Sequence, residues 1–196
     1  MTRIFLVRHG RAAAGWDTAM DPPLDDLGRE QAAATASRLA VRLQDAKWSL
    51  GDVDVVTSPL LRCRQTAAEY ERVTGTIARV DSRIAEIPSP VGVDMSDRVT
   101  WLRRVMQGTW SELIVRDGDA YSQFRNGLLT WACSVRRDTV AFSHFVAINA
   151  VIGAATDDDR LVISSVDNAS VTVIGVDADG TLTLLEGGAE ANTLIR

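Results

Sequence analysis

Three short apolar runs punctuate the chain, and each ends on polar residues. Ile4-Phe5-Leu6-Val7, Val53 to Thr57 and Thr139 to Phe142 carry apolar side chains at consecutive positions, the pattern of strands covered on both faces. Between them the spacing changes to that of helices. Ala32, Ala36, Leu39 and Leu43 predict a helix from Arg29 to about Leu43. Ser58-Pro59 opens a second helix that ends near Thr74-Gly75, with Ser58 as N-cap and Pro59 at the first helical position. Ile77 to Val80 reads as a short strand, and the two prolines in Glu86-Ile87-Pro88-Ser89-Pro90 make that stretch a loop. Ser96-Asp97 caps a helix to about Gln107. Asp119 opens another, in which Phe124, Leu128, Trp131 and Val135 repeat, and a further helix covers Phe145 to Ala154. Two last strands, Ser170 to Val176 and Thr181 to Leu185, flank the hairpin turn Asp177-Ala178-Asp179-Gly180. Strands alternating with helices predict an α/β fold, a three-layer α/β/α sandwich with a mostly parallel central sheet and one antiparallel hairpin near its carboxyl end.

Both histidines of the chain follow these apolar runs: His9 in Arg8-His9-Gly10, and His144 after Ser143. In an open α/β sheet, ligands bind outside the carboxyl ends of the strands. The first strand delivers Arg8 and His9 there, the second Ser58 and Arg62, the third His144 at a helix N-terminus. Two guanidiniums, two imidazoles and helical N–H groups around one point suit a phosphate.

Composition narrows the reading. A length of 196 residues, 46% hydrophobic and 24% charged, fits one globular domain with a sizeable core, without repeats or linkers. A formal net charge of -5 argues against a nucleic-acid surface, while clustered arginines can still bind phosphate in a cleft. Cys63 and Cys133 lack metal-ligand spacing and read as free thiols, in keeping with a reducing compartment. The amino terminus runs directly into a strand without the layout of a secretory leader. No apolar stretch approaches the ~18 residues that span a bilayer. The expected compartment is the cytoplasm, with no membrane partner.

Taken in order, the polar segments resemble the histidine phosphatase superfamily, the phosphoglycerate mutase-like fold. Arg8-His9-Gly10 is similar to its signature. Leu24-Asp25-Asp26-Leu27-Gly28-Arg29-Glu30-Gln31-Ala32 resembles its leucine-threonine-x-x-glycine-x-x-glutamine-alanine segment. Ser58-Pro59-Leu60-Leu61-Arg62-Cys63-Arg64-Gln65-Thr66-Ala67 resembles its serine-proline-x-x-arginine-x-x-glutamine-threonine-alanine segment. Ser143-His144 and Asn168-Ala169-Ser170 complete the set. Residues 1–196 are then one histidine phosphatase-like domain.

The resemblance implies a phosphatase that needs no metal or other cofactor and acts through a phosphohistidine at His9. A backbone carbonyl is expected on the non-attacking nitrogen of that ring. Arg8 and Arg62 are expected to grip the phosphoryl oxygens, and His144 to stabilise the same oxygens. Glu86 is the expected acid for the leaving alcohol, ahead of Asp81 and Asp94 by motif position. Ser58 and Arg11 complete the substrate-binding set, whereas Arg64 faces elsewhere. The expected partner is a small phosphorylated substrate, with a phosphoprotein the second candidate; the sequence carries no signal of oligomeric state. A phosphoglycerate mutase-like phosphotransferase and a weakly catalytic phospho-ligand-binding member are the alternative readings.

The chain also departs from the family. The asparagine that follows the first histidine motif is missing, and Arg11 is expected either to replace it as a donor or to favour a more anionic substrate. Phe145 stands where the family has glycine after the second histidine, and is expected to narrow the site or reshape its backbone. Of the five tryptophans, Trp16, Trp48 and Trp131 read as packing residues, and Trp101 and Trp110 as walls of the substrate cleft.

Overall fold

A computed structural model describes residues 1–15, 18–45 and 52–190. Among these residues six strands form one sheet in the order β3-β2-β4-β1-β5-β6. In chain order the elements are β1 (Thr2–Arg8), α1 (Asp26–Asp45), β2 (Asp54–Thr57), α2 (Leu61–Thr74), β3 (Arg79–Val80), a 3-10 turn at Ser82–Ile84, α3 (Met95–Val105), α4 (Trp110–Asp117), α5 (Asp119–Ser134), β4 (Thr139–Ser143), α6 (Phe145–Thr156), β5 (Val171–Val176) and β6 (Leu182–Glu186).

The consecutive apolar runs have the expected cause. Side chains alternate across a strand, so Ile4 and Leu6 enter the layer that holds α3, α4, α5 and α6. Phe5 and Val7 enter the opposite layer, which holds α1 and α2. Helix α6 is buried at every position from Phe145 to Gly153, which explains its lack of an amphipathic pattern.

Strands β1, β2, β3 and β4 run parallel, and β5 is antiparallel to both β1 and β6. The antiparallel part is thus larger than the terminal hairpin, because β5 returns directly alongside β1. Register fixes the carboxyl edge of the sheet: Arg8 lies opposite Ser143, and Thr57 opposite Phe142. The ladder continues one bond further, from the His9 N–H to the Ser143 carbonyl (3.1 Å) and from the Ser58 N–H to the Phe142 carbonyl (2.9 Å). His9, Ser58 and His144 therefore leave the sheet side by side.

Three local expectations need correction. Helix α2 begins at Leu61 with Leu60 as its N-cap, so Ser58 and Pro59 precede the helix. The Ser58 hydroxyl is engaged by His144, and it is Asp21 that accepts the Leu61 N–H (2.8 Å). Helix α1 starts at Asp26 rather than Arg29, with the Asp25 carboxylate accepting the Gly28 N–H (2.7 Å). Helix α4 was not expected; a capping box between Thr109 and Glu112 starts it.

Candidate active site

A cavity of about 590 Å³ opens at the carboxyl edge of β1 and β2. Arg8, His9, Arg62, Glu86, Arg98, Phe145 and Asn168 supply its polar and aromatic lining, and Ala12, Ala13, Ala14, Met20, Pro22, Pro59 and Leu60 line it as well. The volume is that of a small-molecule site.

His9 is held in one orientation. Its Nδ1 lies 2.7 Å from the Gly10 carbonyl oxygen, and a carbonyl can only accept, so Nδ1 carries the proton. Nε2 is left with its lone pair and accepts the Nε–H of Arg62 at 3.1 Å. The backbone is fixed as firmly: the His9 carbonyl accepts from the Ala169 N–H (3.2 Å) and the Asn168 side-chain amide (3.1 Å). Ala169 holds φ of 55°, a left-handed conformation that turns its N–H toward that carbonyl. The Gly10 N–H donates to Thr66 (3.1 Å), whose hydroxyl in turn donates to the Arg62 carbonyl (2.7 Å). Thr66 therefore ties the histidine loop to α2.

The two motif glutamines also serve the loops. Gln31 accepts the Arg11 N–H at 2.9 Å, and Gln65 accepts the Leu24 N–H at 2.7 Å. Gly10 and Gly28 meet face to face: a Cβ on Gly10 would lie 2.3 Å from the Gly28 carbonyl oxygen, and a Cβ on Gly28 2.1 Å from that of Arg11. Glycine is required at both by close backbone approach.

Arg8 is almost wholly buried. One Nη donates to the Val166 carbonyl at 2.7 Å, and its guanidinium carbon sits 5.0 Å from the centre of the Phe145 ring. Burial lowers its pKa to about 10, against the opposing charges of Glu86 and Asp167, and it remains cationic at neutral pH. Arg62 is buried beside His9, with Asp21 3.7 Å from its Nη1.

His144 lies behind this cavity rather than on its wall, as does Ser58. Its Nε2 is 2.7 Å from the Ser58 hydroxyl and 3.3 Å from the Cys63 sulfur, and its ring meets the His9 ring edge-on at 5.3 Å. Burial drives the pKa of both imidazoles well below the ordinary value, and Arg62 and Arg8 lower them further. Both rings are neutral near pH 7. Burial raises the Cys63 thiol instead, which leaves it protonated, and it donates to the Ser143 carbonyl (3.2 Å).

Glu86 is half-buried at the cavity wall, against the N-terminus of α6. Oε1 accepts from the N–H groups of Ile87 (3.0 Å) and Ala147 (3.3 Å), and Oε2 from that of Val146 (3.3 Å). The free N–H groups expected to face a phosphate here are thus already partnered. Burial raises the carboxyl pKa, although these N–H groups and the two arginines pull it down. The rival acid Asp81 is clamped by Arg83 (2.6 and 2.9 Å) and lies outside the cavity lining, as does Asp94.

Against this geometry, the family model of the histidine phosphatase superfamily (branch 1) matches residues 4–186. The chain belongs to the histidine phosphatase superfamily. No curated protein matches it. Among solved structures, it is similar to a mycobacterial glucosyl-3-phosphoglycerate phosphatase in complex with VO3, at 22% identity and a TM-score of 0.70, covering 97% of this chain and 100% of that one. It is also similar to YhfR of Bacillus stearothermophilus (20%, TM-score 0.70, 97% and 98%). A third likeness is to the phosphoglycerate mutase of Thermus thermophilus (22%, TM-score 0.60, 95% and 99%). At these identities the likeness establishes the shared fold.

Within this histidine phosphatase fold, the structure brings Arg8, His9, Arg11, Arg62 and Glu86 to one cavity. Arg11 is already committed, because its Nε meets Asp25 at 2.5 Å. It lines the wall as half of an ion pair rather than as a spare cation. Trp101 and Trp110 are not cleft walls: both are buried in the core, Trp101 bonded to Asp117 and Trp110 stacked on Phe124. Trp16 and Trp48 lie outside the described residues. Arg64 is exposed as expected, and both cysteines are free.

Sequence reasoning missed Arg98, which reaches the cavity from α3 and bonds to Ser89. Its helix was legible from the Ser96-Asp97 cap, but the sequence holds no signal that the first turn of that helix reaches the cavity. Asn168 belongs to the last motif, and the structure puts it on the cavity wall, a place the motif alone does not give.

Proposed function

We propose that this chain is a phosphomonoesterase acting through a covalent phosphohistidine at His9, without a metal ion or other cofactor. One observation carries the reading: the Gly10 carbonyl fixes the His9 tautomer so that Nε2 keeps its lone pair, held by Arg62 at a cavity that His9, Arg8 and Arg62 line together. A neutral imidazole held this way is a competent nucleophile near pH 7.

In the first step the Nε2 lone pair attacks phosphorus, and the bond from phosphorus to the substrate oxygen breaks. Arg62 exchanges its bond to Nε2 for phosphoryl oxygens, and Arg8 holds the same group with its remaining N–H donors. Glu86, with its raised pKa, gives its proton to the leaving oxygen. In the second step water attacks phosphorus, Glu86 takes up a proton from the water, the P–N bond breaks and inorganic phosphate leaves. His144 supports the centre from behind, bonded to Ser58 and in edge contact with the nucleophilic ring. The substrate is a small phosphorylated molecule, which the cavity volume suits; a phosphoprotein presenting one residue is the second candidate.

The test is hydrolysis of para-nitrophenyl phosphate in EDTA by the wild type and His9→Ala, with acid-labile phosphate trapped on the protein by rapid quench. Release of nitrophenol and phosphate by the wild type alone is the expected result. Equal activity in both proteins would remove His9 as nucleophile, and phosphoryl transfer between substrate positions without release to water would favour a mutase.

A further inference from the structure

The residue after His144 departs from the family's usual glycine, and the structure gives it a task. Phe145 is the first residue of α6, fully buried, with its ring face 5.0 Å from the guanidinium carbon of Arg8. The Val166 carbonyl accepts from one Nη of the same guanidinium. The Arg8 Nε is buried and makes no hydrogen bond within the protein. The guanidinium is thus seated by an aromatic face and one carbonyl, which leaves most of its five N–H donors available.

We propose that Phe145 is a positioning residue for Arg8: its ring holds the guanidinium in place so that the donors of Arg8 meet an incoming phosphoryl group without reorganisation. This rests on the reading of Arg8 as a phosphoryl-binding residue. The physical ground is the quadrupole of the ring, which attracts a cation over its face and does so more strongly where water is excluded. Arg8 is such a case, at 8% exposure over a ring at 2%. An aliphatic side chain of similar bulk fills the space and leaves the cation without a directional seat. Because Phe145 follows His144 directly, the same turn of α6 that carries the second histidine also sets the arginine beside the first.

The test is binding of orthovanadate and inorganic phosphate, which does not depend on turnover. Phe145 is replaced by leucine and, separately, by phenylalanines bearing one, two and three ring fluorines. Fluorination drains the ring quadrupole at nearly constant shape. We expect affinity to fall stepwise along the fluorine series and on the order of tenfold in Phe145→Leu, with unchanged thermal midpoints for the fluorinated proteins. In an Arg8→Ala background, Phe145→Leu should add nothing, since the two then act as one unit. A flat fluorine series, or losses that add in the double variant, would overturn the proposal while leaving Arg8 as an anion ligand. An Arg8→Ala protein that binds both anions as well as the wild type would remove the reading on which it rests.

Discussion

The carbonyl oxygen of Gly28 occupies the place that a side chain on Gly10 would need, 2.3 Å from the ideal Cβ position. The loop that carries His9 and the first turn of α1 are therefore packed backbone to backbone. Gly10→Ala should force the two apart, costing about 1–3 kcal/mol of stability by overpacking. Activity should fall further than stability, because the Gly10 carbonyl also holds His9 Nδ1. Denaturant titration beside kcat/KM checks this; a variant with wild-type values of both would show that the contact can relax freely.

Arg62 donates its Nε–H to Nε2 of His9, the proposed nucleophile, from a planar fork that a lysine lacks. Arg62→Lys keeps the charge and loses the planar fork. We expect kcat/KM to drop on the order of 10²–10³, the scale of removing one preorganised donor. A loss below tenfold would mean that charge alone suffices at this position.

In the proposed mechanism Glu86 has two separable duties. As an acid it matters most when the leaving alcohol is poor, so Glu86→Gln should lose about 10²–10⁴ with an alkyl phosphate and far less with para-nitrophenyl phosphate. As an acceptor for Ile87, Val146 and Ala147 it anchors the start of α6, and there glutamine can still accept. Glu86→Ala, which cannot, should cost about 1 kcal/mol more stability than Glu86→Gln. Equal losses with both substrates would exclude Glu86 as the acid.

For the proposed mechanism, the pH profile follows from the directions of the shifts. His9 must be neutral, and its lowered pKa moves the acid limb of kcat/KM below the ordinary imidazole range. Glu86 must be protonated, and its raised pKa moves the alkaline limb above the ordinary carboxyl range. Activity should therefore persist below the ordinary imidazole pKa, where a solvent-exposed histidine would already be protonated. Glu86→Gln should flatten the alkaline limb, which separates it from ionisation of the substrate.

Stability carries the opposite signature. The unfolded chain protonates both imidazoles near pH 6.5 while the fold resists, so the unfolded state gains protons as pH falls. Their contribution is fully present above pH 6.5 and is lost below it, by up to ~1.4 kcal/mol per pH unit for each ring. Glu86 opposes this slope above the ordinary carboxyl pKa, where the fold holds its proton longer. Urea midpoints between pH 7.5 and 5.5 should fall with pH; a flat line would place both imidazoles in contact with water.

The sequence made legible what depends on period and order. Continuous apolar runs marked β1, β2 and β4 because both faces of those strands are covered. Helix α4 escaped because eight residues are too few to establish a period, although its Thr109-x-x-Glu112 cap was there to be read. What failed elsewhere were local rules overruled by distant partners. Ser58 looks like the N-cap, yet its hydroxyl meets His144 and the Leu60 N–H, and the helix begins only after Leu60. Arg11 looks like a spare cation until Asp25, fourteen residues on, neutralises it. Trp101 and Trp110 were assigned to the cleft because composition carries no direction, and the packing of α3 and α4 turns both inward.

The register between β1 and β4 has a further consequence. More than half the chain separates these two strands, yet Arg8 must sit opposite Ser143 before either histidine has its neighbours. Closing so long a loop is slow compared with forming α1 or α2. During refolding, helical signal should therefore return well before turnover does. Catalytic power becomes a clock for the last long-range event, and a chain that has recovered its helices but not its chemistry is one whose central pair has yet to close.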